Sequence, residues 1–159
     1  MLPFKTIVFA TDFSPASKVA FEVAGALARD YHARIIAVHV VEPQAVAFSE
    51  AGAYVGPEED KGEAMKRLQA LRSPSPRVTI EYRLLEGDPS TVISETAEET
   101  NADLVVMGTS GRTGLTRFVM GSVAEEVLRR APCPVLTVRA AVDVSTMTPA
   151  EEMPETAML

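Results

Sequence analysis

Short apolar runs rich in β-branched residues alternate along this chain with segments whose apolar residues recur at helical spacing. The apolar runs are residues 5–11, 33–41, 77–85, 102–107 and 134–139. The predicted helices are residues 15–31 after Ser14 as N-cap, a segment from Pro57, a segment after Asp88-Pro89, and residues 121–131. In the first of these helices an apolar stripe is expected from Val19, Val23, Leu27 and Tyr31. Because strands that alternate with helices form parallel sheets, the pattern predicts an α/β fold.

The five predicted strands form one open parallel sheet with helices on both faces, a Rossmann-like half. Right-handed crossovers allow the strand order 3-2-1-4-5. The third strand alternates apolar and polar residues, which is typical of an edge strand. Ligands in such sheets bind beyond the carboxyl ends of the strands, where the chain reverses direction between strands one and four. Asp12 and Gly108 follow those two strands, so we expect both at one crevice.

The segment from the fourth strand to the fourth helix is rich in glycine. Gly108 and Gly111 are three residues apart, and a Gly121-Ser122 pair opens the helix after nine further residues. Glycine has no Cβ, so such a loop can bring backbone amides close to an anion. The helix from Gly121 adds unpaired N–H groups and the positive end of its dipole, and Ser122 adds a hydroxyl. The sequence therefore predicts an anion-binding site.

The spacing G-x2-G-x9-G-S resembles the ATP-binding signature of the universal stress protein family. Residues 6–14, TIVFATDFS, are similar to the family's first strand and the acidic residue at its end, and residues 39–41 to the close of its second strand. Residues 121–125 and 133–138 are similar in residue type to the family's last helix and last strand. The resemblance covers residues 3–139. It implies a nucleotide-binding domain over residues 1–139, the same strand order and a C-terminal tail at 140–159.

By this resemblance the expected ligand is ATP, with Mg²⁺ or Mn²⁺ bound through its phosphates. The expected binding residues are Thr11, Asp12, Val40, Met107, Gly108, Gly111, Arg112, Gly121, Ser122 and Val123. Asp12 and Val40 are placed at the adenosine end and Thr11 and Met107 along the adenine slot. Gly108 and Gly111 are placed at the ribose and α-phosphate, and Gly121 and Ser122 at the β- and γ-phosphates.

Several of these assignments have a competing structural interpretation. Asp12 is also a candidate N-cap of the first helix, and Thr11 and Met107 are equally credible as ordinary packing. Arg112 is a candidate phosphate contact, but a solvated loop arginine is favoured. His39, within a strand, is favoured as a packed residue over one near the ligand.

Composition and missing motifs argue against several functions. The net charge of -7 and the pI of about 4.9 oppose nucleic-acid binding, which needs clustered Lys and Arg. The apolar runs are too short to span a membrane, and the first residues lack a signal-type apolar core, so a cytoplasmic protein is expected. A P-loop lysine motif, a nucleophile elbow and a Cys/His metal cluster are all missing from the sequence.

These features predict an ATP-binding regulatory or stress-response protein, in which nucleotide occupancy sets conformation or the choice of an unknown protein partner. Hydrolysis is expected to be slow or absent. The alternative is an enzyme of phosphoryl or adenylyl transfer that uses the same crevice and a base from the connection at 42–56. That long connection, with Gly52 and Gly56, is predicted to be a mobile flap over the nucleotide. A homodimer is expected through the apolar fifth strand, with the tail adding to it.

Overall fold

A five-stranded parallel sheet organises the structure, a computed structural model that describes residues 4–109 and 120–140. The strands are β1 Thr6–Ala10, β2 Arg34–Val41, β3 Val46–Ser49, β4 Gly52–Val55, β5 Ile80–Glu86, β6 Leu104–Gly108 and β7 Val135–Val138. The helices are α1 Pro15–Tyr31, α2 Lys61–Gln69, α3 Pro89–Glu99 and α4 Ser122–Arg130. The sheet order is β5-β2-β1-β6-β7, and every neighbouring pair is parallel.

This topology confirms the predicted fold class and the predicted order 3-2-1-4-5. The strand numbers differ because β3 and β4 form a separate two-stranded sheet. The third predicted strand corresponds to β5, which pairs only with β2 among the described strands and is therefore an edge, as expected.

The helices cover both faces of the sheet because side chains of β1 alternate between two buried layers. Ile7 and Phe9 pack in one layer with the alanines of α1 and with Leu68 of α2. Val8 and Ala10 pack in the other layer with Ile93 of α3 and with α4. A strand buried on both faces needs a continuous apolar run, and that is what β1 has.

Helix α1 packs on the sheet through a different stripe from the predicted one. Its buried apolar residues are Ala16, Ala20, Ala24 and Ala28, whereas Val19, Val23, Leu27 and Tyr31 are only partly covered. Small side chains let the helix axis approach the strands closely, so the alanine face takes the central contact and the larger residues lie beside it. As predicted, Ser14 caps the helix, since its Oγ accepts a hydrogen bond from Ser17 N at 3.2 Å.

The connection at 42–56 contains an antiparallel hairpin that the sequence analysis did not predict. Strands β3 and β4 are exposed along their whole length, and Phe48 is 84% exposed. Gly52 has φ 121°, a conformation that favours glycine, at the turn between them. Helix α2 also begins later than Pro57, because the Asp60 carboxylate caps it by accepting from Glu63 N at 3.0 Å.

Strand β7 lies at the far edge of the sheet and pairs with β6. Leu136 on β7 is 37% exposed, and Leu128 on α4 is 44% exposed. The homodimer through this strand stays a prediction, and the tail from residue 141 lies outside the described residues. Within the described part of the chain, no helix is both long and apolar enough to cross a bilayer.

Two phenylalanines provide a matched test of this architecture. Phe9 is fully buried, so Phe9→Ala should lower the free energy of unfolding by about 3–5 kcal/mol. Phe48→Ala, on the exposed hairpin, should change it by less than about 0.5 kcal/mol. Urea unfolding measures both values. If Phe48→Ala lowered the free energy of unfolding as much as Phe9→Ala, the hairpin would have to pack against the domain.

Candidate functional site

A cavity of about 720 Å³ opens beyond the carboxyl ends of the central strands. It lies where the chain reverses direction between β1 and β6, the position predicted from the topology. Residues from the ends of β1, β2 and β6, from the start of α3 and from the first turn of α4 line it. This volume is in the range of pockets for small molecules and cofactors.

The cavity brings together all the predicted binding residues that the structure describes. These are Thr11, Asp12, Val40, Met107, Gly108, Gly121, Ser122 and Val123. The other two, Gly111 and Arg112, lie outside the described residues. Sharing a cavity shows proximity, and the role of each residue in binding stays a prediction.

Asp12 sits at the turn between β1 and α1 and is held by hydrogen bonds from that turn. Its Oδ1 accepts from Ser17 Oγ at 2.6 Å and from Ser14 N at 3.0 Å. The competing interpretation of Asp12 as the N-cap is wrong, because Ser14 occupies that position. Burial alone would raise the pKa of the Asp12 carboxyl, but the hydrogen bonds from Ser14 and Ser17 stabilise the ionised form and hold its pKa below the ordinary value.

Gly108 has a packing reason for being glycine. A Cβ at this position would lie 2.9 Å from Ala16 Cβ, closer than real Cβ contacts allow, and 3.1 Å from Ser17 N, which is also unusually tight. Its φ is not positive, so conformational freedom is not what the position requires. The start of α1 is therefore in close contact with the end of β6, where Ser17 and Gly108 both line the cavity.

Helix α4 points its N-terminus at the cavity. Gly121 is the N-cap, with φ -62° and ψ 150°, and its own N–H donates to Thr109 O at 2.7 Å. The next three N–H groups, of Ser122, Val123 and Ala124, have no acceptor within the helix because of their position in its first turn. Together with the helix dipole they form an arrangement suited to an anion.

The cavity lining includes both apolar side chains and carboxylates. Val40, Ile93 and Met107 are buried apolar side chains that line it. Besides Asp12, the carboxylates of Glu42, Glu59 and Glu125 line it. No three His, Cys, Asp or Glu side chains in residues 4–109 and 120–140 are grouped so that they could hold a metal ion.

Sequence reasoning missed Glu59, whereas His39 is a packed residue, as favoured, and also lines the cavity. His39 is 2% exposed, and its Nε2 lies 2.9 Å from Glu59 Oε1. The two residues are twenty positions apart, and the hairpin lies between them. A histidine in a buried strand was the available signal, but nothing in the pattern named its partner.

The segment at 42–56 meets the cavity through Glu42, while the hairpin residues do not belong to the described lining. The prediction that this segment covers a bound nucleotide stays a prediction.

The comparison with known proteins agrees with this geometry. The model of the universal stress protein family matches residues 3–139. The chain belongs to the universal stress protein family. A universal stress protein of Methanocaldococcus jannaschii is 39% identical to it over 140 residues, which cover 86% of this chain and 82% of the relative.

Solved universal stress proteins share the fold. UspA from Lactobacillus plantarum is 23% identical, with a TM-score of 0.66 over 87% of this chain and 100% of that one. A universal stress protein in complex with cAMP is 29% identical, with a TM-score of 0.62 over 88% of this chain and 100% of that one.

The contact between α1 and β6 in this universal stress protein can be tested with glycine substitutions. Gly108→Ala should lower the free energy of unfolding by about 1–3 kcal/mol, because the new methyl group would overlap Ala16. Gly56→Ala is the control: its Cβ would meet Ala45 O at an ordinary 3.5 Å, so a change within about 0.5 kcal/mol is expected. Equal stabilities of the two variants would contradict the close packing at Gly108.

The hydrogen bonds to Asp12 predict a pH dependence of stability. Since the pKa of Asp12 is lowered by folding, its ionised form stabilises the protein above the unfolded pKa, and this contribution is lost as pH falls through the folded pKa. Wild type should therefore have a higher free energy of unfolding than Asp12→Asn at pH 7. This difference in free energy should become smaller below about pH 4.

Urea unfolding between pH 7 and pH 3 measures that difference. Asp30→Asn, which alters an exposed carboxylate paired with Arg29, is the control and should have little effect. A gap between wild type and Asp12→Asn that is constant over this range would show that the charge of Asp12 does not contribute.

Proposed function

We propose that this universal stress protein binds an adenine nucleotide, ATP with Mg²⁺ or Mn²⁺, in the cavity, and that occupancy regulates its conformation or its choice of partner. The observation that carries the proposal is that two kinds of lining share one cavity. The first turn of α4 suits an anion, and buried apolar side chains together with hydrogen-bonding groups suit a nucleoside.

At the nucleoside end, the proposed contacts are Thr11, Asp12, Val40 and Met107. Val40 and Met107 are buried apolar residues that can pack against a base. The Asp12 carboxylate is suited to accept hydrogen bonds from ribose hydroxyls, and its lowered pKa keeps it ionised for that role.

At the phosphate end, the proposed contacts are Gly108, Gly111, Arg112, Gly121, Ser122 and Val123. Because Gly121 N–H is used by Thr109 O, the amides proposed to face phosphate oxygens are those of Ser122 and Val123. Gly121 has no side chain, and this leaves space for the anion.

The solved relative in complex with cAMP supports an adenine nucleotide as the ligand class. Such a nucleotide fits the donor set here, since α4 supplies N–H donors and Asp12 supplies an acceptor. In the proposed complex the phosphates provide the main ligands of the divalent cation, which would reduce repulsion from the cavity carboxylates.

The alternative function is an enzyme of phosphoryl or adenylyl transfer in the same cavity. Glu42 favours it, because this carboxylate lines the cavity from the 42–56 segment and has the chemistry of a general base. Steady-state turnover of ATP separates the two proposals: slow or absent turnover supports regulation, whereas sustained turnover lost in Glu42→Gln supports the enzyme.

Calorimetric titration with Mg-ATP tests the binding proposal. We expect a micromolar dissociation constant, equivalent to roughly 7 to 8 kcal/mol. Gly121→Val should abolish binding, since its Cβ and methyl groups would enter the space for the phosphates, while the backbone angles at 121 are ones that valine adopts. Ala70→Val, at an exposed position after α2 and outside the described cavity lining, is the control and should bind like wild type.

Thermal unfolding shows whether each variant is folded. No binding heat and no thermal shift at millimolar ATP or cAMP would refute nucleotide binding. Normal binding by Gly121→Val would show that Gly121 does not border the space for the phosphates.

A further inference from the structure

The hairpin of β3 and β4 is a two-stranded sheet whose side chains are open to solvent. All eight residues of its strands are exposed, and among the described strands these two pair only with each other. A two-stranded hairpin alone in water is only marginally stable, because it buries little apolar surface. Further burial against another surface would therefore stabilise it.

The strand register places the larger aliphatic and phenylalanine side chains on one face of the hairpin. Val46 lies opposite Val55, and Phe48 lies opposite Ala53. Residues directly opposite each other, and residues two apart along a strand, project to the same side of a sheet. We call these four residues the hairpin face. Phe48 is 84% exposed and the two valines are each 52% exposed, so the hairpin face is an apolar surface in contact with water.

Charge limits the partners that the hairpin face can bind. Residues 43–57 contain a single charged side chain, that of Glu50 at the turn, whereas the whole chain has a net charge of -7. A basic protein or an anionic membrane binds through complementary charge, and this segment has neither clustered carboxylates nor any Lys or Arg. Two copies of an acidic protein repel each other least where their surfaces lack charge. The hairpin face is therefore best suited to a second copy of this chain.

The hairpin is separate from the cavity. Glu42 before β3 and Glu59 after β4 line the cavity, but no residue of either strand belongs to its described lining. Pairing of the hairpin face therefore needs no ligand and does not depend on the proposed nucleotide binding. The hairpin is also distinct from β7, the strand expected to form the homodimer, because β7 belongs to the five-stranded sheet.

We propose that the hairpin face is a self-association surface, at which two copies pack Phe48 and the flanking valines of one hairpin against those of the other. The contact is isologous, so each copy contributes the same four side chains. Facing sheets pack about 10 Å apart with interdigitated side chains. Four side chains from each copy bury less than the roughly 800 Å² per partner of a standard interface, so the association is weak, with a dissociation constant on the order of 100 µM.

Analytical ultracentrifugation of the full chain from about 5 to about 500 µM tests this surface, since the range brackets the expected dissociation constant. The average mass of wild type should rise with concentration. In Phe48→Glu like charges meet at the hairpin face, so its mass at the highest concentration should fall below that of wild type.

Ala47→Glu is the matched control. Ala47 is exposed on the same strand, but it lies opposite Tyr54 and projects to the other side of the hairpin. The variant adds the same charge as Phe48→Glu one residue away, and it should associate like wild type.

A second variant removes the aromatic ring without adding charge. Phe48→Thr keeps a β-branched residue in the strand and should weaken association about tenfold, whereas Ala47→Thr should not change it. Thermal unfolding shows whether each variant is folded. Raising NaCl to about 0.5 M should strengthen wild-type association, because salt screens the repulsion between two acidic copies and leaves an apolar contact intact.

Equal masses of wild type and Phe48→Glu at every concentration would overturn the proposal. An equal loss in Ala47→Glu would also overturn it, because pairing along the strand edge affects both variants alike. Weaker wild-type association at high salt would indicate an ionic contact instead of an apolar one. Flotation with uncharged phosphatidylcholine vesicles tests a lipid partner: if wild type binds the vesicles, Phe48→Glu does not, and neither self-associates, the hairpin face binds a membrane and the proposal is wrong.

Discussion

The burial of β1 on both faces is the constraint on which the rest of the molecule depends. Ile7, Val8 and Phe9 are inaccessible to solvent, and the strand pairs with β2 on one side and β6 on the other. A strand in this position needs helices on both faces, and the chain must leave it in opposite directions to build the two halves of the sheet. The crevice beyond β1 is the geometrical result of that divergence, so the candidate site follows from the core rather than being added to it.

Close packing also sets the details of the site. The alanine face of α1 brings the start of the helix against the end of β6, where Gly108 has no side chain to keep them apart. The same turn directs Ser14 and Ser17 at Asp12, and their hydrogen bonds keep this carboxylate ionised. A residue that looks like a ligand contact in the sequence thus also has a structural role, and mutational data at Gly108 or Asp12 need a stability measurement beside the binding measurement.

The sequence was informative wherever the pattern was local or repeated. Alternating strands and helices predicted the sheet order, and that order predicted which strand ends would share a cavity. It was misleading for α1, because larger apolar residues suggested a stripe where the alanines make the closest contact. It did not predict the hairpin, whose exposed strands lack the burial that creates a strong apolar pattern. Glu59 could not be found, since its contact with His39 depends on where the chain returns after the hairpin.

A ligand bound in the cavity would also affect the stability of the whole folded protein. The walls of the cavity come from strand ends and helix starts that are far apart along the chain, from Ala10 to Glu125, and they meet only in the folded sheet. A ligand that occupies it has no equivalent site in the unfolded chain, so it stabilises the folded state by an amount that grows with its free concentration. Proteases attack the transiently opened molecules, whose population falls as the folded state is stabilised. The lifetime of the protein would therefore increase with the concentration of the ligand.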